Sequence, residues 1–95
     1  MTARRLDLAP DADIVRMVAA HPGVDLVLVI QPGRDSIAQA MVEAAVAPLA
    51  VAAAPSARIN AVLVGDGAGE AAVAAAVAYL AAAHAVTGQL LGVGT

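Results

Sequence analysis

Three apolar runs along the chain have the length and composition of buried strands. Residues 26–30 read Leu-Val-Leu-Val-Ile without a polar position, and the runs at 58–64 and 89–93 are also rich in aliphatic residues. Unbroken runs of this length, unlike alternating ones, are typical of strands buried on both faces of a parallel sheet. We predict strands over 24–30, 58–64 and 89–93, and the shorter pattern at 6–8 predicts a strand at one edge of the sheet.

The segments between these runs have the features of helices. Asp11 and Asp13 precede an apolar face that begins at Ile14, and aspartate is favoured at helix N-caps. Pro22 and Gly23 end this pattern. The two later segments are rich in alanine, the strongest helix former. The patterns predict helices over 11–21, 36–54 and 70–84.

The second predicted helix contains both a capping signal and a helix breaker. Asp35 or Ser36 can cap it, and the spacing of Ser36 and Gln39 is that of a capping box. Pro48 has no backbone N–H to donate, so we expect it to kink the helix or end it early.

Helices alternate with strands along the whole chain. Connections of this length between strands produce right-handed crossovers and a parallel sheet. The sequence therefore predicts a single α/β domain, 1–95, with a small three-layer Rossmann-like sheet of three or four strands and helices on both faces.

Composition narrows the function classes. Of the 95 residues, 61% are hydrophobic, mostly Ala and Val, and the net charge is −3. Without cysteine there is no disulfide, zinc-thiolate, iron–sulfur or thiol chemistry, and the two histidines are too few to hold a metal. An acidic chain with one aromatic residue lacks the charge and stacking surfaces of a nucleic-acid binder. We expect a thin core that a partner chain completes.

The apolar segments do not predict a membrane protein. The longest ones, 44–54 and 71–83, are shorter than the ~20 residues that span a bilayer, and the residues after Arg4 and Arg5 lack the apolar core of a signal peptide. We therefore expect a cytoplasmic protein without membrane or nucleic-acid partners.

Two segments of the second half carry a resemblance to a known family. Residues 58–65, Arg-Ile-Asn-Ala-Val-Leu-Val-Gly, resemble the sixth strand of the short-chain dehydrogenase/reductase (SDR) family. Residues 74–81 and 85–91, with Thr87-Gly88-Gln89, are similar to its closing helix and strand. In the first half, the similarity is to the family's third strand, next helix and fourth strand, and it is carried by residues 6–8, by Asp11 and Val18, and by residues 24–27. The resemblance implies a Rossmann-like fold in a truncated, degenerate member.

The departures from the family pattern concern the chemistry. The glycine-rich TGxxxGxG loop and the catalytic serine segment are missing, and so is the YxxxK pair, because the single tyrosine is Tyr79 and the chain has no lysine. Allowing one deleted residue, Asp35 and Gln39 stand where that pair would lie. The resemblance thus implies the fold and the oligomer surface, and no catalytic residue or cofactor is predicted.

A few residues remain candidates for binding an anion. Gly65, Gly67 and Gly69 follow a strand and open a helix, where backbone N–H groups can cradle a phosphate. The spacing is GxGxG, and two neighbouring carboxylates would repel an anion, which favours a shortened loop. Gly33 and Arg34, at the start of the second helix, are the other candidates; a solvated charge is the simpler role for Arg34.

The remaining polar candidates have simple structural roles. His21 and His84 each end a helix, where the dipole and the last carbonyl groups favour a histidine. Asp35 and Ser36 resemble an acid and a nucleophile, but no histidine or lysine lies close in sequence to activate the serine, so helix capping is favoured.

Two functions from different classes remain open. In the first, the chain is a non-catalytic subunit that assembles with itself or with a full-length short-chain reductase; in the second, it is a small enzyme or a nucleotide- or anion-binding module that uses the crevice at the strand ends. Assembly would use the second helix and the segment 70–93. The predicted interface residues are Val42, Val46, Tyr79, Leu80, Leu90 and Leu91.

Overall fold

A computed structural model describes residues 3–94. Strands and helices alternate as predicted, and the strand at the N-terminal edge is longer than the predicted 6–8. The elements are β1 (Arg4–Leu8), α1 (Ile14–Ala19), β2 (Leu26–Ile30), α2 (Ser36–Ala53), β3 (Ile59–Val64), α3 (Glu70–Ala82) and β4 (Leu90–Val93).

The first helix is shorter than predicted because its cap lies further along the chain. The carboxylate of Asp13 accepts hydrogen bonds from the N–H groups of Val15 and Arg16, at 2.9 and 3.2 Å. An N-cap residue has non-helical backbone angles, so α1 cannot begin at Asp11. Asp35 caps α2 in the same way, through the N–H of Ala38 at 2.8 Å, so Asp35 is the N-cap and Ser36 the first helical residue.

The expectation for Pro48 is wrong, because α2 continues through it to Ala53. Pro48 leaves the carbonyl of Ala44, one turn earlier, without its helical donor. Both residues lie on the exposed side of the helix, where water can bind that carbonyl. The penalty of an interior proline is therefore smaller here than on a buried face.

The four strands form one parallel sheet in the order β1-β2-β3-β4. The fold is thus a small α/β Rossmann-like sheet with helices on both faces, as predicted. One face packs against α1 and α2, and its core contains Leu28, Val46 and Ala61; the other packs against α3 through Val62 and Leu80.

The strand order and the helix positions together show that the three crossovers cannot all be right-handed. Each connection steps in the same direction across the sheet, but α2 lies on one face and α3 on the other. Two such steps on opposite faces have opposite hands, so the expectation of right-handed crossovers throughout is wrong. The sequence could not indicate this, because β3 is apolar on both sides and does not show which face α3 covers.

The helix α2 meets the length and composition of a membrane span, contrary to the expectation that no segment does. It has 18 residues and a mean hydropathy of 1.5, and among residues 3–94 it is the one helix that meets both criteria. Core helices of soluble proteins meet them too, and Val42, Val46 and Ala50 of α2 are buried against the sheet.

Candidate functional site

The carboxyl ends of β2 and β3 form the candidate site. The loop after β2, 31–35, leads to α2 on one face, whereas the loop after β3, 65–69, leads to α3 on the other. In open α/β sheets, ligands bind where neighbouring loops diverge in this way. The crevice predicted at the strand ends therefore has the topology of a ligand site, and it lies between residues 31–34 and the loop at 65–69.

Arg34 does not point a free guanidinium into this crevice. Its Nη1 donates to the carbonyl of Gln31 at 3.1 Å, and its Nη2 donates to the carbonyls of Ala9 and Ala12 at 2.8 and 3.4 Å. The side chain is half-buried, so it is not a solvated charge either. Arg34 ties the loop after β1 to the loop after β2.

Gly33 is required for close packing between the same two loops. Its φ is +123°, and a Cβ built at this position would lie 2.9 Å from Cγ of Pro10. Any side chain would therefore collide with the proline ring and adopt a strained backbone. The glycine at this position is explained by Pro10, without a ligand.

The loop after β3, which contains Gly65, Gly67 and Gly69, makes close contacts with another segment of the same chain. The N–H of Gly65 donates to the carbonyl of Val93 at 2.8 Å, and the N–H of Ala68 donates to Gly65 at 3.1 Å. Gly94, with φ +74°, lies so close to Ala68 that a Cβ would come within 2.7 Å. Two of the amides that could cradle a phosphate are thus already bonded, and Gly67 lies exposed between Asp66 and Ala68.

Charge at the start of α3 also opposes an anion. Glu70 begins this helix and accepts hydrogen bonds from Arg5 at 2.8 and 3.1 Å. Arg5 also bonds Asp7 at 2.8 Å, and these two carboxylates raise the pKa of its guanidinium. The hydrogen bond from Arg5 in turn lowers the pKa of Glu70. The guanidinium of Arg5, near the start of α3, is therefore already paired with two carboxylates of this chain.

The Arg5–Glu70 pair predicts a pH-dependent contribution to stability. Because the folded-state pKa of Glu70 is lowered, its contribution is present above the ordinary glutamate pKa and lost as the pH falls through the folded value. We expect Glu70→Gln to lower the Tm slightly at pH 7 and not at all in strong acid. Asp66→Asn, an exposed change in the same loop, is the control; a Tm difference for Glu70→Gln that persists in strong acid would contradict this account.

The positions that correspond to the catalytic pair hold structural residues. Asp35 caps α2, and Gln39 donates from its Nε2 to Glu43 at 2.9 Å. Tyr79 is 64% exposed on α3, on the face of the sheet opposite to α2. The structure therefore does not bring the single tyrosine together with the residues of α2.

The histidines occupy helix ends, as predicted. Nδ1 of His21 lies 2.9 Å from the carbonyl oxygen of Met17 in the last turn of α1, so this nitrogen carries the proton and donates. His84 is exposed just beyond α3. Within residues 3–94, no three His, Asp or Glu side chains lie together as metal ligands.

The predicted interface residues divide into two groups. Val42, Val46 and Leu80 are at most 6% exposed, so they belong to the core of this chain and are not available to a partner. Tyr79 and Leu90 are exposed and Leu91 is half-buried. For α2, the prediction chose residues on the side of the helix that packs on the sheet. This helix has apolar residues on both sides, and its sequence does not show which side meets the sheet.

The exposed side of α2 carries apolar residues that the prediction did not name. Ile37, Met41 and Val51 are 74%, 68% and 76% exposed, and Ala44 and Pro48 lie between them. The steps of four and three residues place all five on one helix face. We call these five residues the α2 stripe.

Two polar side chains that hold the structure together were also missed. Arg58 pairs with Asp25 at 3.2 Å and donates to carbonyls at the end of α3, at 2.7 Å for Ala83. Asn60 is 1% exposed, and it donates to the carbonyl of Val86 and accepts from the N–H of Gln89, both at 3.0 Å. A polar residue inside an otherwise apolar strand was the available signal for Asn60.

Asn60 should therefore be costly to replace. In Asn60→Leu, the carbonyl of Val86 and the N–H of Gln89 lose their buried partners, so we expect the free energy of unfolding to fall by about 2–4 kcal/mol. Urea denaturation measures this loss. Gln39→Leu, a change to leucine at a half-buried position of α2, is the control, and an equal effect of the two substitutions would contradict the role given to Asn60.

Comparison with known proteins agrees with the α/β fold described above. The curated proteins and the solved structures give no significant match. The family model for SDR-like proteins, described as short chain dehydrogenase-like protein, matches residues 7–93. Its match extends from the first strand to the end of the last, and we conclude that this chain belongs to the SDR-like family.

Proposed function

We propose that this chain is a non-catalytic SDR-like subunit that assembles in the cytoplasm with itself or with a full-length short-chain reductase. The observation that carries the proposal is the apolar surface left open by the fold. The α2 stripe is exposed, and so are the side chains of Tyr79 and Leu90; contiguous apolar patches on a small protein usually mark interaction sites.

The absence of reacting groups supports a non-catalytic role. Hydride transfer to a carbonyl needs a proton donor of suitable pKa and a cation that stabilises its anion. Among these 95 residues there is no lysine, and Arg5, Arg34 and Arg58 are bonded to carboxylates or main-chain carbonyls. Activity of an assembly would therefore come from its other chains.

The alternative function, a small enzyme or a nucleotide- or anion-binding module, has one feature in its favour. The loops after β2 and β3 diverge in the way that creates a binding crevice. The candidate residues in it, however, have partners within the chain: Arg34 bonds three carbonyls, and Gly65 bonds Val93. The geometry gives this alternative less support than assembly.

Thermal unfolding with and without a dinucleotide separates the two functions. For the subunit we expect the Tm to stay within error at millimolar NAD(H), NADP(H) or inorganic phosphate, because a ligand that binds only the folded state must raise it. Ser36→Ala and His21→Ala should leave any activity of an isolated assembly unchanged. A Tm increase that Gly67→Asp removes would contradict the proposal and favour the crevice.

A further inference from the structure

Two methionines of the chain, Met17 and Met41, lie in different surroundings. Met41 is 68% exposed and stands between Ile37 and Ala44 in the α2 stripe. Met17, on α1, is half-buried and packs against the core between the helices and the sheet. A small reagent in solution therefore reaches the thioether sulfur of Met41 more readily than that of Met17.

The composition of the chain leaves its methionines as the main targets of an oxidant. Thiolates react with peroxides at the lowest cost, and the chain has no cysteine. It has no tryptophan either. The thioether of methionine, which is soft and polarizable, is then the only kind of sulfur that a peroxide can meet in this chain.

We propose that Met41 is a site of reversible oxidation that changes the α2 stripe from apolar to polar. Hydrogen peroxide is the oxidant: its O–O bond breaks, one oxygen atom is transferred to Sδ of Met41, and the other leaves as water. The sulfur loses two electrons and the peroxide gains them. Methionine sulfoxide reductases reverse the step, because two thiols reduce the sulfoxide and leave as a disulfide and water. The selectivity for Met41 does not depend on the proposed function, whereas the effect on assembly rests on it.

The other members of the α2 stripe offer no partner to the sulfoxide oxygen. Ile37, Ala44, Pro48 and Val51 have no polar atoms in their side chains. In the free chain water hydrates the new oxygen. In an assembly that buries the stripe against apolar groups, that oxygen loses its water without gaining a hydrogen bond. Oxidation of Met41 therefore weakens such an assembly.

The fold has room for the oxidised side chain. Met41 lines an open cavity of about 400 Å³ between the start of α1 and the first turns of α2, together with Val15 and Ala38. The core contact at this point of α2 is made by the neighbouring residue, Val42, which is 6% exposed. We therefore expect oxidation of Met41 to leave the Tm of the chain within error of the wild type.

Peptide mapping after brief treatment with hydrogen peroxide tests the selectivity. We expect the sulfoxide, detected as one added oxygen atom, to form at Met41 at least about fivefold faster than at Met17, because Met41 is the more exposed of the two. Met17→Leu is the matched control, since leucine keeps the apolar volume without the sulfur, and it should leave the rate at Met41 unchanged. Equal rates at the two methionines, or faster oxidation of Met17, would overturn the inference.

Sedimentation velocity of the purified assembly, before and after peroxide, tests the effect on association. We expect oxidation to raise the Kd by about tenfold or more, a methionine sulfoxide reductase to restore it, and Met41→Leu to assemble equally well before and after the treatment. An unchanged Kd after full oxidation of Met41 would overturn the inference and leave the proposed function standing. So would an equal loss of assembly in Met41→Leu. A wild type that forms no assembly before oxidation would overturn the effect on assembly together with the proposed function, but not the selectivity for Met41.

Discussion

Val46→Asp is expected to unfold the chain. Val46 is 0% exposed in the core between α2 and the sheet, and a carboxylate there would lose its hydration without gaining a partner. The cost, about 4–5 kcal/mol or more, is close to the whole stability of a domain of this size, about 5–14 kcal/mol. Far-UV circular dichroism and urea denaturation measure the loss.

Val51→Asp on the same helix is the matched control. The side chain of Val51 is 76% exposed in the α2 stripe, so the introduced carboxylate stays in water. We expect its free energy of unfolding to remain within about 0.5 kcal/mol of the wild type. If both variants unfolded, or if both stayed folded, the assignment of the two faces of α2 would be wrong.

Arg58→Met is expected to cost about 2–4 kcal/mol. The side chain of Arg58 is 15% exposed and that of Asp25 27% exposed. Removing the guanidinium leaves this partly buried carboxylate without its ion pair. It also removes the donors to carbonyls at the end of α3, among them Leu80, Ala81 and Ala83. Methionine keeps the apolar stem, so the loss reports the polar contacts.

Arg5→Met is the comparison for this prediction. Arg5 bonds Asp7 and Glu70 at the surface, where both carboxylates are more than half exposed, and ion pairs in such positions contribute little. We expect Arg58→Met to lower the midpoint of urea denaturation several times more than Arg5→Met. An equal shift for the two variants would mean that Arg58 does not hold β2, β3 and α3 together.

The elements were predictable because each depends on local sequence. Unbroken aliphatic runs identify β2 and β3, and alanine content identifies α2 and α3. Their ends were less predictable, since they depend on single hydrogen bonds. Asp13 shortens α1 by accepting the N–H groups of Val15 and Arg16, the second and third helical residues. The strand β3 starts after Arg58, whose N–H donates to Asp25 at 2.8 Å.

The faces of the elements could not be predicted from the sequence. The helix α2 has apolar residues on its exposed side as well as on its buried side, so its buried and exposed valines, such as Val46 and Val51, look alike in the pattern. The strand β3 is likewise apolar on both sides, so nothing in the sequence indicated that α3 lies on the opposite face from α2. Contacts between distant segments decide both questions.

The position of the candidate site was predictable, but the contacts that its residues already make within the chain were not. The loops after β2 and β3 do diverge at the edge of the sheet, as a Rossmann-like fold requires. The sequence could not show that Pro10 packs on Gly33, or that Arg34 is already bonded to Ala9 and Ala12. These contacts join residues more than 20 positions apart.

The native mass and composition of the tagged chain, purified from its own host, test the central claim most directly. The account predicts an assembly of fixed stoichiometry, either two copies of this chain or this chain with a full-length short-chain reductase. A monomer of 9.3 kDa at every concentration, without an associated reductase, would contradict it.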